Sequence, residues 1–509
     1  MGLRILRRDF VRTLSASSAC ASLSPFLWES DLRDRLATDP LRPQYHLLPA
    51  GNWMNDPNAP IHWNGRYHMF FQYNPNAAVW GDMHWAHAVS EDMIHWRHLP
   101  VALAPTPGWD DADGCFTGSA VDDHGTATIL YTGVKSCAPE QATLRDGAHN
   151  FREVQCLATS SDPQLLTWNK WKQPVIQPPN EPRLTGFRDP FLWRENENWY
   201  LGVGSGLFKQ GGRVLLYRSK DLRTWEYLHS LASGKWTEKE SVNPVESGEM
   251  WECPDFFSLG KKHVFLYSTA GQVIWESGEL DPKHVFHSEK RGILDHGAYY
   301  AQKTQLDAKG NRILWGWIPE TRPEAEFSAA GWAGCMALPR VLSINPEGSL
   351  EMCFAAEAKA LRAKSFAIPP QHLGPSQCRR AMDEIQIENL AAEITWKSNS
   401  LPAALALVDR GGPWWSAKLE PKGAASAMLA VNGILLEVTL GPKRETEFHL
   451  FLDASVAELI CNAKHAVTTR FYRKPDGALR IRVSDNDLLA VTSLKAWQLR
   501  PISPDRLTT

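Results

Sequence analysis

The feature that most constrains the fold is a repeat. Ser90-Glu91-Asp92 leads to Trp96, Ser161-Asp162 to Trp168, and Ser219-Lys220-Asp221 to Trp225. Each copy follows a strand-like run (His84–Val89, Val154–Thr159, Arg213–Arg218) and precedes another apolar stretch. A strand, a polar turn and a tryptophan recurring at intervals of roughly 60 residues predict propeller blades, each a four-stranded sheet. Ser-Asp turns also recur by chance in β proteins; the tryptophan trailing all three copies favours the repeat.

The surrounding pattern agrees. From about residue 40 to 345, short apolar or alternating runs are broken by Gly, Pro, Asn and Asp, as in Tyr67–Tyr73, Ala127–Thr132, Trp199–Val203, His263–Ser268 and Arg312–Trp317. Runs of this length and spacing predict an all-β domain, and long helical periodicity is absent. Residues 346–375 change character and read as a linker with a short helix near Ala355–Ala363. Strand signals resume in Glu393–Trp396, Ala403–Val408, Gly433–Leu440, Glu447–Leu452, Val456–Cys461 and Leu479–Val483, predicting a C-terminal β-sandwich over 376–505. A chain of 509 residues accommodates two such domains.

Composition narrows the function. Lys and Arg (54) nearly cancel Asp and Glu (57), so no field large enough to gather nucleic acid is implied, and a neutral or small polar substrate fits better. The 22 tryptophans supply core, but indole faces in a cleft also suit the apolar faces of sugar rings. Nine cysteines (Cys20, Cys115, Cys137, Cys156, Cys253, Cys335, Cys353, Cys378, Cys461) are scattered singly, without a CxxC pair. That argues against a thiolate metal site and a disulfide framework, and for buried thiols. Arg7-Arg8-Asp9-Phe10-Val11 is a twin-arginine pattern followed by a charge-poor stretch and Ala19-Cys20-Ala21. Residues 1–28 are therefore expected to be an export signal and linker, placing the mature protein in the periplasm or outside the cell; a frayed basic tail is the alternative. No run of about 18 apolar residues occurs, so no membrane span is expected.

Hydrolysing a glycosidic bond takes a proton donor for the leaving oxygen and a carboxylate at the anomeric carbon. Three turns offer carboxylates beside aromatic residues. In Trp53-Met54-Asn55-Asp56-Pro57-Asn58, Pro57 restricts Asp56 to extended geometry. In Gly186-Phe187-Arg188-Asp189-Pro190-Phe191, the adjoining Arg188 predicts that Asp189 stays ionised. In Met250-Trp251-Glu252-Cys253-Pro254-Asp255-Phe256, an indole and an uncharged thiol flank Glu252, which predicts desolvation and the raised pKa of an acid catalyst. Taken alone, the first motif reads more readily as a surface turn and the second as a salt-bridged loop, and the third fits any half-buried Glu. His84, His87, His95 and His98 form an HxxH…HxxH pattern that zinc would accept. Met83–Val89 reads as a strand, however, and residues three apart on a strand point to opposite faces.

As an ordered series the segments resemble glycoside hydrolase family 32, the β-fructofuranosidases. Phe71-Gln72-Tyr73-Asn74-Pro75, Trp80-Gly81 with Trp85, Phe116-Thr117-Gly118-Ser119-Ala120, Asp295-His296-Gly297 with Tyr300-Ala301, and Ile313-Leu314-Trp315-Gly316-Trp317 all fall in the family's order. So do Gly331-Trp332-Ala333-Gly334, Leu338-Pro339-Arg340, and Phe451-Leu452-Asp453 through Arg470-Phe471-Tyr472. The resemblance implies an all-β fold, a five-bladed β-propeller followed by a β-sandwich, with the site in the central funnel. It implies Asp56 as nucleophile, Glu252 as acid and base, and Asp189 as the group that holds fructose hydroxyls and stabilises the cationic transition state. Asn55, Gln72 and Arg188 would supply polar contacts, with Trp80, Phe116, Thr117 and Trp317 around the ring; core packing is the alternative for Phe116 and Trp317. The resemblance further implies retention of configuration, no metal, no organic cofactor, and a fructose-containing oligo- or polysaccharide as substrate, most simply attacked at its end. A fructosyltransferase, a fructan-binding protein that has lost catalysis, and a five-bladed arabinan- or xylan-degrading enzyme are the rivals. Two departures stand out: Ala59 replaces the usual Gly after the nucleophile turn, and Thr117 replaces a more usual Ser.

Overall fold

The computed structural model describes residues 32–368, 380, 382–399, 401–423, 425–440, 445–483 and 491–503. The expected export signal, Cys20 and Cys378 lie outside them.

Alternating β-branched and aromatic runs build five antiparallel sheets in chain order. The first comprises Asn52–Trp63, Arg66–Asn74, His84–Ser90 and Trp96–Leu103, with Trp332–Ala333 added in parallel beside Asn52–Trp63. The second is built on Gly114–Asp123, Thr126–Ser136 and Asn150–Ser160, with two short edge strands. The third runs from Leu184–Glu195 to Glu226–Ser233, and the fourth from Glu252–Leu259 to Phe286–Ile293. The fifth starts at Tyr300–Leu306 and ends at Leu350–Phe354. The five leading strands neighbour one another in sequence order, and that of the fifth sheet also neighbours that of the first.

The repeat is the turn into the fourth strand of a sheet. Asp92 Oδ1 accepts the amides of Ile94 and His95 at 3.0 and 2.8 Å. Asp162 accepts those of Gln164 and Leu166 at 2.9 and 3.0 Å, and Asp221 those of Arg223 and Thr224 at 2.9 and 2.7 Å. The carboxylate replaces backbone partners inside the turn. Met93, Leu165 and Leu222 each take a left-handed φ, at 66°, 55° and 59°. The indoles of Trp168 and Trp225 close their turns on the Leu165 and Leu222 carbonyls, both at 3.0 Å. A fourth copy at Asp281 holds the amides of Lys283 and Val285, with His284 at φ 61°. It carries Phe286 where the others have Trp, and no Ser, so a pattern keyed on those residues misses it.

The segment 346–375 carries more structure than a connector. Leu350–Phe354 completes the fifth sheet, a 3-10 turn spans Ala356–Leu361 where a short helix was expected, and Arg362–Ile368 enters the next sheet. Two six-stranded sheets follow, with Ile394, Trp396, Leu405, Trp415, Leu450 and Leu459 buried between them. They form the sandwich. The four histidines of the HxxH pattern disperse: His87 is fully buried and bonded to His68 at 2.9 Å, while His95 pairs with Asp92.

The sandwich docks on the leading sheets through charge. His46 donates from Nδ1 to Asp453 (2.8 Å) and from Nε2 to Glu458 (2.9 Å). Arg340 reaches Asp295 (2.9 Å) and Glu458 (2.6 Å), and Thr468 donates to Asp295. All five charged side chains are fully shielded from solvent. Burial lowers the pKa of His46, but the two carboxylates outweigh it and raise it to about 9. A raised histidine pKa contributes stability that is complete below its unfolded value, about 6.5, and lost as pH rises through the folded value. Thermal unfolding followed from pH 6 to 10 should therefore show Tm falling above pH 7. In His46→Ala, which leaves the buried Asp453 without its cationic partner and should cost about 3–5 kcal/mol, that alkaline fall should be smaller.

Candidate active site

A regular strand alternates its side chains between two faces, so consecutive residues cannot all meet one axis. Each leading strand breaks its ladder at the same level. Register shifts fall between Met54 and Pro57, Phe116 and Gly118, Arg188 and Phe191, Glu252 and Asp255, and Tyr300 and Lys303. Asp189, Cys253 and Ala301 take φ 63°, 46° and 52° within these bulges, which re-aim side chains as bulges do. Gly118 serves close approach: a Cβ there would lie 2.1 Å from the Leu130 carbonyl oxygen. Ala59 does adopt positive φ, 44°, so this position carries the strain expected of a residue with a Cβ.

The bulges open into a cavity of about 510 Å³. Asp56, Asp189, Glu252, Asn55, Gln72, Trp80, Phe116, Thr117, Arg188 and Trp317 all line it, so every site residue expected from sequence is brought to one place. Asp56 is half-buried and accepts Asn55 Nδ2 (2.9 Å) on one oxygen and Thr117 Oγ1 (2.6 Å) on the other. Cys253 Sγ lies 3.3 Å from Asp56 Oδ2 and 3.6 Å from Asp189 Oδ2, and its amide donates to Asp189 at 2.8 Å. One residue thus ties two carboxylates together. Burial raises the pKa of Asp56, with Thr117 and Asn55 opposing and Glu252 adding to the rise.

Two local expectations are corrected. Arg188 was expected to keep its neighbour Asp189 ionised, but its guanidinium turns to Glu252 Oε1 (2.8 Å from Nη2, 3.2 Å from Nε) and to Glu153 Oε1 (2.9 Å). Burial instead pushes the Asp189 pKa up to about 7; the Arg188 charge holds it down against Asp56 and Glu252. Glu252 was expected between an indole and a thiol. Trp251 stacks away on Tyr267 at 4.0 Å, the Cys253 thiol turns to the aspartates, and Glu252 meets Arg188 and the Tyr300 hydroxyl (2.8 Å).

The remaining residues divide between wall and brace. Gln72 spends its amide on the Cys115 carbonyl at 3.0 Å, fastening the first sheet to the second. Trp80 is 41 % exposed at the mouth, edge-on to Phe116 at 6.0 Å and 5.0 Å from His149. Phe116 is buried against Phe151 while lining the cavity, and Trp317 packs 5.8 Å from Trp53; each serves both core and wall. The unforeseen helix Glu324–Ala330 sets Phe327 against the same Trp53. Sequence reading missed Glu153, fully buried, which also accepts Thr143 Oγ1 (2.8 Å) and the Phe187 amide (2.7 Å). An acid directly before the strand-like run Val154–Thr159 was the available signal.

Asp56, Asp189 and Glu252 thus line one aromatic-walled cavity, with Glu252 held by a cation and a phenol. Residues 46–352 match the model of the glycosyl hydrolases family 32 N-terminal domain. The chain is 35 % identical to a sucrose-6-phosphate hydrolase of Zymomonas mobilis, over 92 % of this chain and 94 % of that one. It is similar to a variant of the Bombyx mori β-fructofuranosidase solved with sucrose (TM-score 0.74, 29 % identity, 94 % and 97 % covered). It is also similar to a variant of fructan 1-exohydrolase IIa of Cichorium intybus solved with 1-kestose (0.76, 26 %, 91 % and 98 %). The chain belongs to glycosyl hydrolase family 32 and is an enzyme of the β-fructofuranosidase type.

Hydrogen bonds to a carboxylate favour its charged form. Thr117→Val removes one from Asp56 and should move the acid limb of the kcat/KM profile up by about 1 pH unit, while Thr117→Ser should leave it in place.

Proposed function

We propose that the chain releases fructose from unphosphorylated β-fructofuranosides, with retention, through a covalent fructosyl-enzyme. Asp56 attacks the anomeric carbon while Glu252 gives its proton to the leaving oxygen. Glu252 then takes a proton from the water that cleaves the fructosyl ester. Asp189 holds fructose hydroxyls and stabilises the cationic transition state. A retaining pair needs its two carboxyl groups about 5–5.5 Å apart. The observation that carries this reading is the convergence through Cys253, whose thiol contacts Asp56 and Asp189 while the next residue back, Glu252, lines the same cavity. The five sheets ending at Phe354 form the catalytic unit and the chain from Arg362 the sandwich. The Arg7-Arg8 pattern supports export of the same enzyme. Among the described residues no helix is long and apolar enough to cross a membrane.

Charge speaks for a neutral substrate. The cavity presents Asp56, Asp146, Asp189 and Glu252 against Arg145 and Arg188, and Arg188 is already committed to Glu153 and Glu252. A phosphate dianion would meet net repulsion there.

Asp56→Asn and Glu252→Gln should each fold as wild type, by circular dichroism and Tm, and lose at least about 10³-fold in kcat on sucrose. Asp189→Asn should fall in kcat more than in KM, since its contact strengthens in the transition state. Activity of either of the first two at the wild-type level removes the mechanism. Initial rates on sucrose, inulin, levan and sucrose 6-phosphate test the substrate class. Sucrose should exceed its 6-phosphate about tenfold or more in kcat/KM, and a preference for the phosphate would refute the neutral-substrate reading.

A further inference from the structure

Lys303 is 2 % exposed and has no ion pair among the described residues. A buried cation without a counter-ion is costly. Its Nζ instead meets the Pro254 carbonyl at 3.2 Å, Ser119 Oγ at 3.4 Å and the Pro190 carbonyl at 3.5 Å. These belong to the leading strands of the fourth, second and third sheets, and Lys303 itself to that of the fifth. Pro190 directly follows Asp189, and Pro254 follows Glu252-Cys253. Ser119 donates to the same Pro190 carbonyl at 2.8 Å.

We propose that Lys303 is a positioning residue for catalysis: its ammonium fastens the peptides behind Asp189 and Glu252-Cys253 and supplies positive charge beneath three carboxylates. The mechanism gives those carboxylates no other buried cation than Arg188, which is bound on the Glu252 side. The Lys303 charge also opposes burial, Asp189 and Asp56 in their upward push on the Cys253 thiol. Lys303 lines a second cavity of about 1120 Å³, whose wall presents His62, Asp122, Arg194, Glu195, Asp255 and Arg312. The same wall carries His263, Asp281, His284 and Asp307. All of these persist in a Lys303 variant, so a change in pH profile reports the ammonium.

The inference rests on the proposed mechanism, in which Asp56 must be ionised to attack. Lys303→Met removes charge and hydrogen bonds, Lys303→Gln keeps amide donors without charge, and Lys303→Arg keeps charge. The acid limb of kcat/KM on sucrose should move up by about 0.5 pH unit or more in both neutral variants and stay within about 0.2 unit in Lys303→Arg. A residue that only fills space between the strands would change the amount of folded enzyme and leave the limb where it is. Should Lys303→Met fail to fold, Lys303→Gln carries the comparison. Overlaid acid limbs in wild type and neutral variants, or an equal shift in all three, overturn the proposal. Wild-type enzyme that frees no fructose would instead overturn the functional reading beneath it.

Discussion

The site depends on five breaks in regular pleating. Strand geometry sends neighbouring side chains to opposite faces, yet side chains from five strands, Asp56, Thr117, Asp189, Glu252 and Tyr300, line one cavity. The bulges at Asp56, Thr117, Asp189, Cys253 and Ala301 resolve that conflict, at the expense of unpaired ladder positions and left-handed backbone at three of them. Each costs something that neighbouring ladders must offset, and each is held from several sides. Asp189 has its amide bonded to Thr132 and its carboxylate to the Cys253 amide, so one strained residue braces the next.

Bulges alone would gather acids that repel. Asp56, Asp189 and Glu252 share a cavity in which burial already disfavours the charged form, as the raised values of Asp56 and Asp189 record. Arg188 answers part of this. It is clamped between Glu153 and Glu252, and burial, which would lower its pKa, is outweighed by those two carboxylates and Asp189. Because Glu153 is itself pinned by Thr143 and the Phe187 amide, the guanidinium has one orientation, and Glu252 inherits it. Tyr300 fixes the second oxygen. In the proposed mechanism Glu252 donates and then accepts a proton in one turnover, which requires such a fixed direction.

Much of this was legible in the sequence, and the gaps have physical causes. The turns were readable because Asp can replace backbone acceptors only at fixed offsets, which leaves a local signature; Asp281 escaped because Phe286 fills the tryptophan's place. The sandwich strands were readable from alternation, and Val456–Cys461 and Leu479–Val483 have the bounds read from sequence. The three carboxylates came from motif order, since no single turn distinguishes a catalytic Asp from a surface one. Partner choice was not legible. Adjacency in the chain suggested Arg188 with Asp189 and Glu252 with Trp251, but a bulge turns adjacent side chains apart, and the real partners lie on other sheets. Glu153 and Lys303 belong to the same class: their roles follow from what is across the axis, not from what is beside them in sequence.

The sandwich enters the same chain of supports. Thr468, in the sandwich strand His465–Arg470, donates its amide and hydroxyl to Asp295, and Asp295 accepts the Gly297 amide at 2.9 Å. A Cβ at Gly297 would lie 1.9 Å from the Thr468 carbonyl oxygen, so the two backbones meet without an intervening side chain. Gly297 lines the cavity, and the strand that starts at Tyr300 follows directly. The hydroxyl that orients Glu252 therefore stands on a segment anchored by Arg340, Asp295 and Thr468, groups that are fully buried and charged or hydrogen-bonded throughout. Buried ion pairs add little net stability but are expensive to break. A junction built from them tolerates no gradual sliding, and a sandwich so joined holds the floor of the catalytic cavity in one register while standing outside it.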